Sequence, residues 1–300
     1  MPQIHTIDLE FTGVPGVIAC FLAPCPEGGF VLLESGPAST VAALEAGISQ
    51  AGHRLADLRA VLVTHVHLDH SGGAGVLARR TGAGVFVHPR GAEHLLDPAK
   101  KLLPSAERLY GDMMLPLWGR VEPVPKAQLR LAEHAQTVSI GGLELTAWHT
   151  PGHAVHHVAW QVGDAVASGD VAGVRFAPST HVMPPMPPPD IHIDDWTASL
   201  GVLQSVSPRR LLLTHFGAFD DAPRHINELE DRLHRWTNIA RDAATRKADV
   251  GQLSAELLEL DEREMSANET PKEAAQRYRH LCPMDANAAG LFRFVAKNGR

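Results

Sequence analysis

The sequence predicts an α/β protein, because segments with the patterns of buried strands and of amphipathic helices alternate along its N-terminal part. Residues 60–64 form an apolar run rich in β-branched side chains, which is typical of a buried strand. Residues 39–52 and 72–81 have the apolar spacing of helices, and residues 85–88 have the pattern of a further strand. This alternation favours a sheet covered by helices.

Further elements follow the same reasoning along the rest of the chain. Gly and Pro separate short strands before the first helix, over residues 4–11, 16–22 and 29–33. The middle of the chain returns to strands over residues 138–150 and 162–170, then to a helix over 195–206 and a buried strand over 208–214. From residue 222 onward the chain is charged and has apolar residues at helical spacing, which predicts several consecutive helices.

The composition sets limits on the class of protein. The chain has 300 residues, of which 44% are apolar, and this is enough to fill a sizeable core. Its formal net charge of −7 provides no broad basic surface, so nucleic acid is not an expected partner. The three cysteines, Cys20, Cys25 and Cys282, lack the paired spacing of a disulfide framework or a zinc knuckle and are interpreted as reduced thiols.

The sequence contains no pattern of a secretory signal or of a membrane-spanning segment. The first residues lack the charged start and apolar stretch of a secretory signal, and no apolar run is long enough to span a bilayer. We therefore expect a cytoplasmic protein with no membrane partner.

A cluster of metal-binding side chains follows the strand predicted at residues 60–64. Three imidazoles and one carboxylate occupy six residues: His65, His67, Asp69 and His70. In an extended segment His65 and His67 project to the same side and can hold one ion, while Asp69 and His70 lie beyond a turn and can face a second. Four ligand candidates exceed the three protein ligands of one open catalytic zinc, so the cluster indicates two metals.

The pattern His65-X-His67-X-Asp69-His70 resembles the signature of the metallo-β-lactamase-fold hydrolases. The family's later ligand motifs are matched, in the family's order, by His153 in residues 150–153, Asp170 in 168–170 and His215 in 213–217. The combination is far more specific than any single motif.

The resemblance covers about residues 15–220 and implies a fold and a domain organisation. The implied fold is an α/β protein with the four-layer αβ/βα sandwich of the metallo-β-lactamase type, a helical insertion and C-terminal helices. Residues 1–220 are then the metallohydrolase domain, which includes the insertion at 91–136, and residues 221–300 are a helical extension packed on the core.

The resemblance also implies a ligand set for two divalent metal ions. One metal is expected on His65, His67 and His153, the other on Asp69, His70 and His215, with Asp170 as the bridge. Imidazole and carboxylate ligands suit zinc, which is the metal expected first, and they also suit manganese or iron.

The expected reaction is the hydrolysis of a small acyl substrate. Two cations that share a water lower its pKa to about 7, which makes hydroxide available to attack a polarised carbonyl. Asp69, next to the nucleophile, is the expected catalytic residue, because it can pass the proton to the leaving group. The family points to an ester, a thioester or a lactone, in a branch similar to glyoxalase II or to lactonases.

Neither branch has specific support in the sequence. The lactonases often place a tyrosine between the residues matched here by Asp170 and His215, but the two tyrosines of this chain, Tyr110 and Tyr278, lie elsewhere. The C-terminal Arg and Lys residues match no glutathione-binding pattern.

Two other functions stay open. Relatives that use a single iron as persulfide dioxygenases keep much of the same signature, and a non-catalytic metal-binding partner protein is a further alternative. His67 argues against a diiron oxygen or nitric oxide reductase, since those usually have Glu at this position. The sequence is compatible with a homodimer and does not establish one.

Some residues near the motifs allow two interpretations. Glu34 either orients a ligand histidine or caps the following helix. His157 is expected to be structural, beneath the site, while His156 has no assigned role. The proline-rich stretch 183–189 is a stiff wall beside the site, a subunit contact or a simple connecting loop.

The insertion carries an apolar stripe at helical spacing. Its members are Tyr110, Met113, Met114, Leu117 and Trp118. We favour the interpretation that this stripe packs onto the core, and the alternative is that it lines a pocket for a hydrophobic acyl group.

Overall fold

The computed structural model of the protein describes residues 3–298, and the chain separates into two compact units. The first unit contains the residues up to 149 together with 156–169, and the second contains 150–155 and the residues from 170 onward. The domain boundary predicted at residue 220 rests on the family resemblance, not on these contacts. It stays a prediction.

A mixed sheet of six strands forms the first part of the first unit. Its strands, in spatial and chain order, are β1 (His5–Asp8), β2 (Ala19–Pro24), β3 (Phe30–Leu33), β4 (Leu58–Leu62), β5 (Gly84–Val87) and β6 (Leu129–Leu131). The first three strands pair antiparallel, and β3 to β6 pair parallel. The strand expected at 60–64 is β4, which begins and ends two residues earlier.

An antiparallel meander forms the second sheet region of this unit. It consists of β7 (Gln136–Ile140), β8 (Leu143–His149), β9 (Val158–Val162) and β10 (Ala165–Ala167). Tight turns near Gly141 and Asp164 join the strands of two antiparallel hairpins, β7–β8 and β9–β10. The buried indole of Trp160 donates a hydrogen bond of 3.1 Å to the Val63 carbonyl, so the meander contacts the loop that follows β4.

Six helices belong to the first unit. They are α1 (Val41–Gln50), α2 (Leu68–Ser71), α3 (Ala74–Thr81), α4 (Ala92–Leu96), α5 (Leu102–Tyr110) and α6 (Met114–Trp118). Helix α1 buries Val41, Leu44 and Ile48, the apolar face that the spacing predicts. Because apolar residues one turn apart share a face, their burial anchors the helix on the sheet.

The interpretation of the insertion stripe as core is wrong for Tyr110 and Met113. Tyr110 is 39% exposed, Met113 is 51% exposed, and of the stripe only Trp118 is buried, against the ring of Phe11 at 5.5 Å. The helical segment predicted to carry the stripe is interrupted at Gly111, where φ is +48°. This conformation favours glycine and ends α5, so the side chains before and after it do not share one helical face.

The second unit is mainly helical. Its elements are α7 (Ile193–Val206), β11 (Arg210–Leu213), β12 (Gly217–Phe219), α8 (Ala222–Thr245), α9 (Val250–Ala267), α10 (Lys272–Leu281) and α11 (Met284–Asn298). The predicted run of helices after residue 222 is confirmed, and Leu229 and Trp236 of α8 are fully buried as their spacing predicts. Helix α11 packs on α8 and α9, so the end of the described chain docks.

These elements confirm the predicted α/β class, with mixed sheets flanked by helices. Among the described residues, no helix combines the length and the apolar character that crossing a membrane requires.

Candidate metal centre

The first unit brings together the four ligand candidates of the early motif. The chain leaves β4 at Leu62, and the loop and the short helix α2 carry the four side chains. The ring of His65 lies 4.4 Å from that of His67 and 4.0 Å from that of His70, measured between ring centroids. His65 and His70 are fully buried, while His67 and Asp69 are partly exposed. The cluster therefore has a buried side and an open side.

The ring nitrogens of this cluster are oriented by neighbouring atoms. His65 has Nδ1 at 3.0 Å from the Thr64 hydroxyl, and its Nε2 lies 2.9 Å from Nδ1 of His67. Two imidazole nitrogens that approach the same point are the arrangement expected of ligands that share a cation.

Glu34 is the acceptor at the centre of the buried side. Its carboxylate accepts hydrogen bonds from the Thr64 amide at 3.1 Å, the Thr64 hydroxyl at 2.5 Å and Nδ1 of His70 at 2.8 Å. Its φ of +72° lies in the left-handed region, which costs a non-glycine residue about 1–3 kcal/mol and is typical of functional sites. Of the two interpretations of Glu34, the structure supports the orienting role, since the N-cap of α1 is Thr40.

The hydrogen bond to Glu34 decides which atom of His70 is available. Because Nδ1 donates to the carboxylate, Nε2 is the nitrogen that can bind a metal, and it lies 3.5 Å from a carboxylate oxygen of Asp69. The sequence-predicted pair Asp69 and His70 thus faces a common point.

Two further histidines line the buried side of the cluster. The ring of His157 stacks at 5.1 Å from that of His65 and is fully buried, and the ring of His156 lies 6.2 Å from that of His67. A Cβ at Gly169 would come within 2.7 Å of Nε2 of His157, so only glycine fits there, directly before Asp170.

The second unit contains the other three predicted ligands, and His153 is the first. Nδ1 of His153 donates to the Pro185 carbonyl at 2.9 Å, and its Nε2 lies 3.3 Å from Oδ2 of Asp170. The residue before it, Gly152, has a φ of +139° and approaches the backbone of Trp196 so closely that a side chain would overlap it. Within the proline-rich stretch, the Pro185 carbonyl thus lies beside His153.

Asp170 faces two histidines with different oxygens. It lies in the 3-10 turn Gly169–Ala172, and its Oδ1 is 3.5 Å from Nε2 of His215, whereas its Oδ2 faces His153. His215 follows β11, and its carbonyl accepts the Arg175 amide at 2.7 Å. One carboxylate thus presents one oxygen to each of two imidazoles.

The donor set suits divalent metals. In His65, His70 and His153 a protein oxygen engages Nδ1, which leaves Nε2 for a ligand, as is usual for metal-binding histidines. The four predicted ligands of the first unit and the three of the second belong to His and Asp clusters that could hold a metal ion.

One other cluster of this kind does not fit a metal. His181, Asp261 and Glu264 lie together in the second unit, but the buried guanidinium of Arg232 lies 2.8 Å from Nε2 of His181 and pairs with Glu264. Arginine supplies the positive charge there, so this cluster is a buried ion-pair network.

Sequence reasoning missed the roles of Thr64, Pro185 and Arg175. Thr64 lies inside the recognised motif, and its hydroxyl beside a strand end was an available signal. Pro185 and Arg175 act through backbone atoms, which residue types do not reveal.

Comparison with known proteins gives a consistent result. The model of the family described as "Metallo-beta-lactamase superfamily" matches residues 13–215. A metallo-beta-lactamase fold-containing protein of Sulfurisphaera tokodaii is 26% identical over 257 residues, which cover 85% of this chain and 91% of that protein. A hydroxyacylglutathione hydrolase of Acidiphilium cryptum is 33% identical over 178 residues, which cover 59% of this chain and 56% of that protein.

A solved structure shows the same fold. The crystal structure of a metallo-beta-lactamase family protein from Thermus thermophilus matches with a TM-score of 0.70 at 19% identity, covering 100% of this chain and 95% of that chain. Together with the family match, it confirms the predicted α/β sandwich.

Proposed function

The chain belongs to the metallo-beta-lactamase superfamily, and from this membership we propose that it is a metal-dependent hydrolase of a small acyl substrate. The bond to be cleaved is that of an ester, a thioester or a lactone. The superfamily's hydrolytic chemistry and the clusters of His and Asp side chains support this proposal.

The proposed centre holds two divalent metals, with zinc as the first choice. The proposed ligands are His65, His67 and His153 for one metal and Asp69, His70 and His215 for the other, with Asp170 shared by both. The observation that carries this proposal is the carboxylate of Asp170, whose two oxygens face the Nε2 atoms of two different histidines at 3.3 and 3.5 Å. A carboxylate in this position can offset the repulsion between two cations.

Asp69 is the proposed proton carrier. Bound metals would supply Lewis acidity for the carbonyl and would acidify a water. The side chain of Asp69 is 19% exposed, whereas that of its neighbour His70 is 0% exposed, so the Asp69 carboxylate is the group that a leaving group can reach. Its oxygen would take up the proton and donate it to the departing oxygen or sulfur.

The substrate class is narrowed by two observations. The Acidiphilium cryptum relative is named for the hydrolysis of a glutathione thioester, which places thioesters first among the candidates. The insertion exposes Met113 and Leu115, and the partial burial of Tyr110 together with the charge of Asp69 raises the pKa of its phenol to about 12. The apolar side chains exposed on the insertion support an apolar acyl group.

The test is a hydrolysis panel with a matched pair of variants. Zinc-loaded protein is assayed on esters, thioesters and lactones, together with Asp170→Ala and with Asp164→Ala, which removes a carboxylate from the β9–β10 turn. We expect Asp170→Ala to lose metal and at least about 10³-fold in activity, and Asp164→Ala to resemble the wild type. An active, metal-replete Asp170→Ala protein would contradict the proposal.

The same preparation separates the alternatives. Two zinc ions per chain with hydrolytic turnover support the proposal. One iron per chain with oxygen uptake on a persulfide would identify a dioxygenase. Full metal loading without turnover on any substrate would favour a non-catalytic binding protein.

A further inference from the structure

The peptide bond between Pro185 and Met186 is engaged at both ends. Its carbonyl accepts the Nδ1 proton of His153 at 2.9 Å, and its N–H donates to Oδ1 of Asn287 at 2.8 Å. Asn287 belongs to α11, far along the chain from the ligand motifs, and is 1% exposed. One peptide group therefore connects a C-terminal helix to a proposed metal ligand.

Helix α11 also fits closely against the next peptide, between Met186 and Pro187. Gly290, one turn after Asn287, lies against the Met186 carbonyl, and a Cβ at this position would overlap that oxygen. The helix backbone thus contacts the segment directly, while the side chain of Asn287 reaches its N–H. The φ of Pro185 is fixed by its ring, and Pro187 restricts the residue before it, Met186, to extended conformations, so this segment has few alternative backbone conformations.

Hydrogen bonds at the two ends of one peptide strengthen each other. An N–H that donates to Asn287 polarises the peptide, which makes the carbonyl a better acceptor for His153. A firm bond at Nδ1 fixes the tautomer and the ring orientation of His153 and keeps Nε2 available for a metal.

We propose that Asn287 is a positioning residue for His153, which it orients through the Pro185–Met186 peptide. This inference rests on the proposed function, because it takes His153 to be a metal ligand. If Asn287 were purely structural, substituting it would change only the stability of the fold. If it positions His153, substituting it also changes the metal affinity and the ligand field of the bound metal.

The experiment compares three variants of the full-length protein. Asn287→Leu keeps the volume and removes the acceptor, and Asn287→Asp keeps an acceptor for the Met186 amide. Val295→Ala, in the same helix and 8% exposed, removes buried apolar contacts without touching the peptide. The readouts are zinc affinity by chelator competition, the absorption spectrum of the cobalt-substituted protein and the melting temperature.

We expect Asn287→Leu to weaken the binding of one metal about 10-fold and to change the cobalt spectrum, the effect usual for a lost partner of a ligand histidine. Asn287→Asp should retain the wild-type spectrum, and Val295→Ala should melt earlier with unchanged affinity. Gly290→Ala displaces the adjoining Met186–Pro187 peptide and serves as the second variant if Asn287→Leu does not fold; it should also weaken the binding of one metal.

The inference is overturned if Asn287→Leu, or Gly290→Ala in its place, keeps the affinity and cobalt spectrum of the wild type. A wild-type protein that binds metal but hydrolyses nothing would end the proposed function and leave this inference standing. A wild-type protein that binds no metal would overturn both.

Discussion

The two units support their proposed ligands in different ways. In the first unit the ligands lie within six consecutive residues, from His65 to His70, and their main partners, Glu34 and Thr64, follow the ends of the adjacent strands β3 and β4. In the second unit His153, Asp170 and His215 come from separate segments, and side chains of C-terminal helices hydrogen-bond to backbone atoms near these segments.

Side chains of the C-terminal helices hydrogen-bond to backbone atoms near the second group of ligands, His153, Asp170 and His215. His225 of α8 donates to the carbonyl of Ala172, two residues after Asp170, at 2.7 Å. Tyr278 of α10 accepts the Phe176 amide at 3.0 Å, directly after the residue that pairs with the His215 backbone. A compact motif can be supported by its own sheet, whereas dispersed ligands need a scaffold built from the rest of the chain.

The largest effect on stability and metal affinity is expected from substituting Glu34, which supports the first group of ligands, from His65 to His70. Glu34→Ala leaves the amide and hydroxyl of Thr64 and Nδ1 of His70 without their acceptor, so we expect a loss of about 3 kcal/mol in the free energy of unfolding. Metal affinity should fall about 10- to 100-fold. Denaturant unfolding and chelator competition measure the two effects.

The control for this variant is Glu45→Ala, which removes a carboxylate that pairs with Arg80 near the surface. It should change the unfolding free energy by less than about 1 kcal/mol and leave metal affinity unchanged. Equal effects of the two substitutions would mean that Glu34 does not organise the cluster.

The second unit should lose stability in acid through His225. Burial lowers the pKa of His225 to about 4, while the unfolded chain has about 6.5, so the unfolded state takes up the proton first as the pH falls. The stability that neutral His225 contributes is fully present above pH 6.5 and is lost between pH 6.5 and 4. The loss amounts to about 3 kcal/mol. Unfolding free energies at several pH values measure it.

His225→Gln isolates this contribution, because the amide can still donate to the Ala172 carbonyl but does not titrate. The variant should have a shallower loss of stability below pH 6.5 than the wild type. The same slope in both proteins would show that His225 does not cause the loss.

The smallest effect is expected from Tyr278→Phe. The ring remains packed on Phe176, and only the hydroxyl is lost, which accepts the Phe176 amide and donates to the His181 carbonyl at 2.5 Å. We expect a loss of about 1–2 kcal/mol in denaturant unfolding. Tyr110→Phe, on an exposed tyrosine, should cost almost nothing, and similar losses in both variants would argue against a specific role of Tyr278.

The contrast between the units also explains what the sequence could predict. The strand, the loop and the ligands from His65 to His70 are contiguous, so residue spacing and strand pattern were enough to propose them. The face of α1 was predictable for the same reason. The prediction that the apolar stripe forms core was wrong for its exposed members, because Gly111 ends the helix inside a segment whose helical spacing looked continuous.

The hydrogen bonds that support the second group of ligands could not be predicted from the sequence. The hydrogen bond that the Met186 amide donates to Asn287 joins residues 101 positions apart. A single Asn in a helical segment forms no sequence pattern that identifies its partner. Pro185 contributes only its carbonyl, an atom that every residue has. Such contacts depend on tertiary packing and become visible only in the folded chain.

The central claim is that two differently supported groups of ligands hold one pair of metals. The most direct measurement is a crystal structure of the zinc-loaded protein with anomalous scattering recorded at the zinc edge. The account predicts two peaks per chain, one bound by His65, His67 and His153 and the other by Asp69, His70 and His215, with Asp170 bound to both. A single peak, or peaks bound by only one of the two groups, would contradict it.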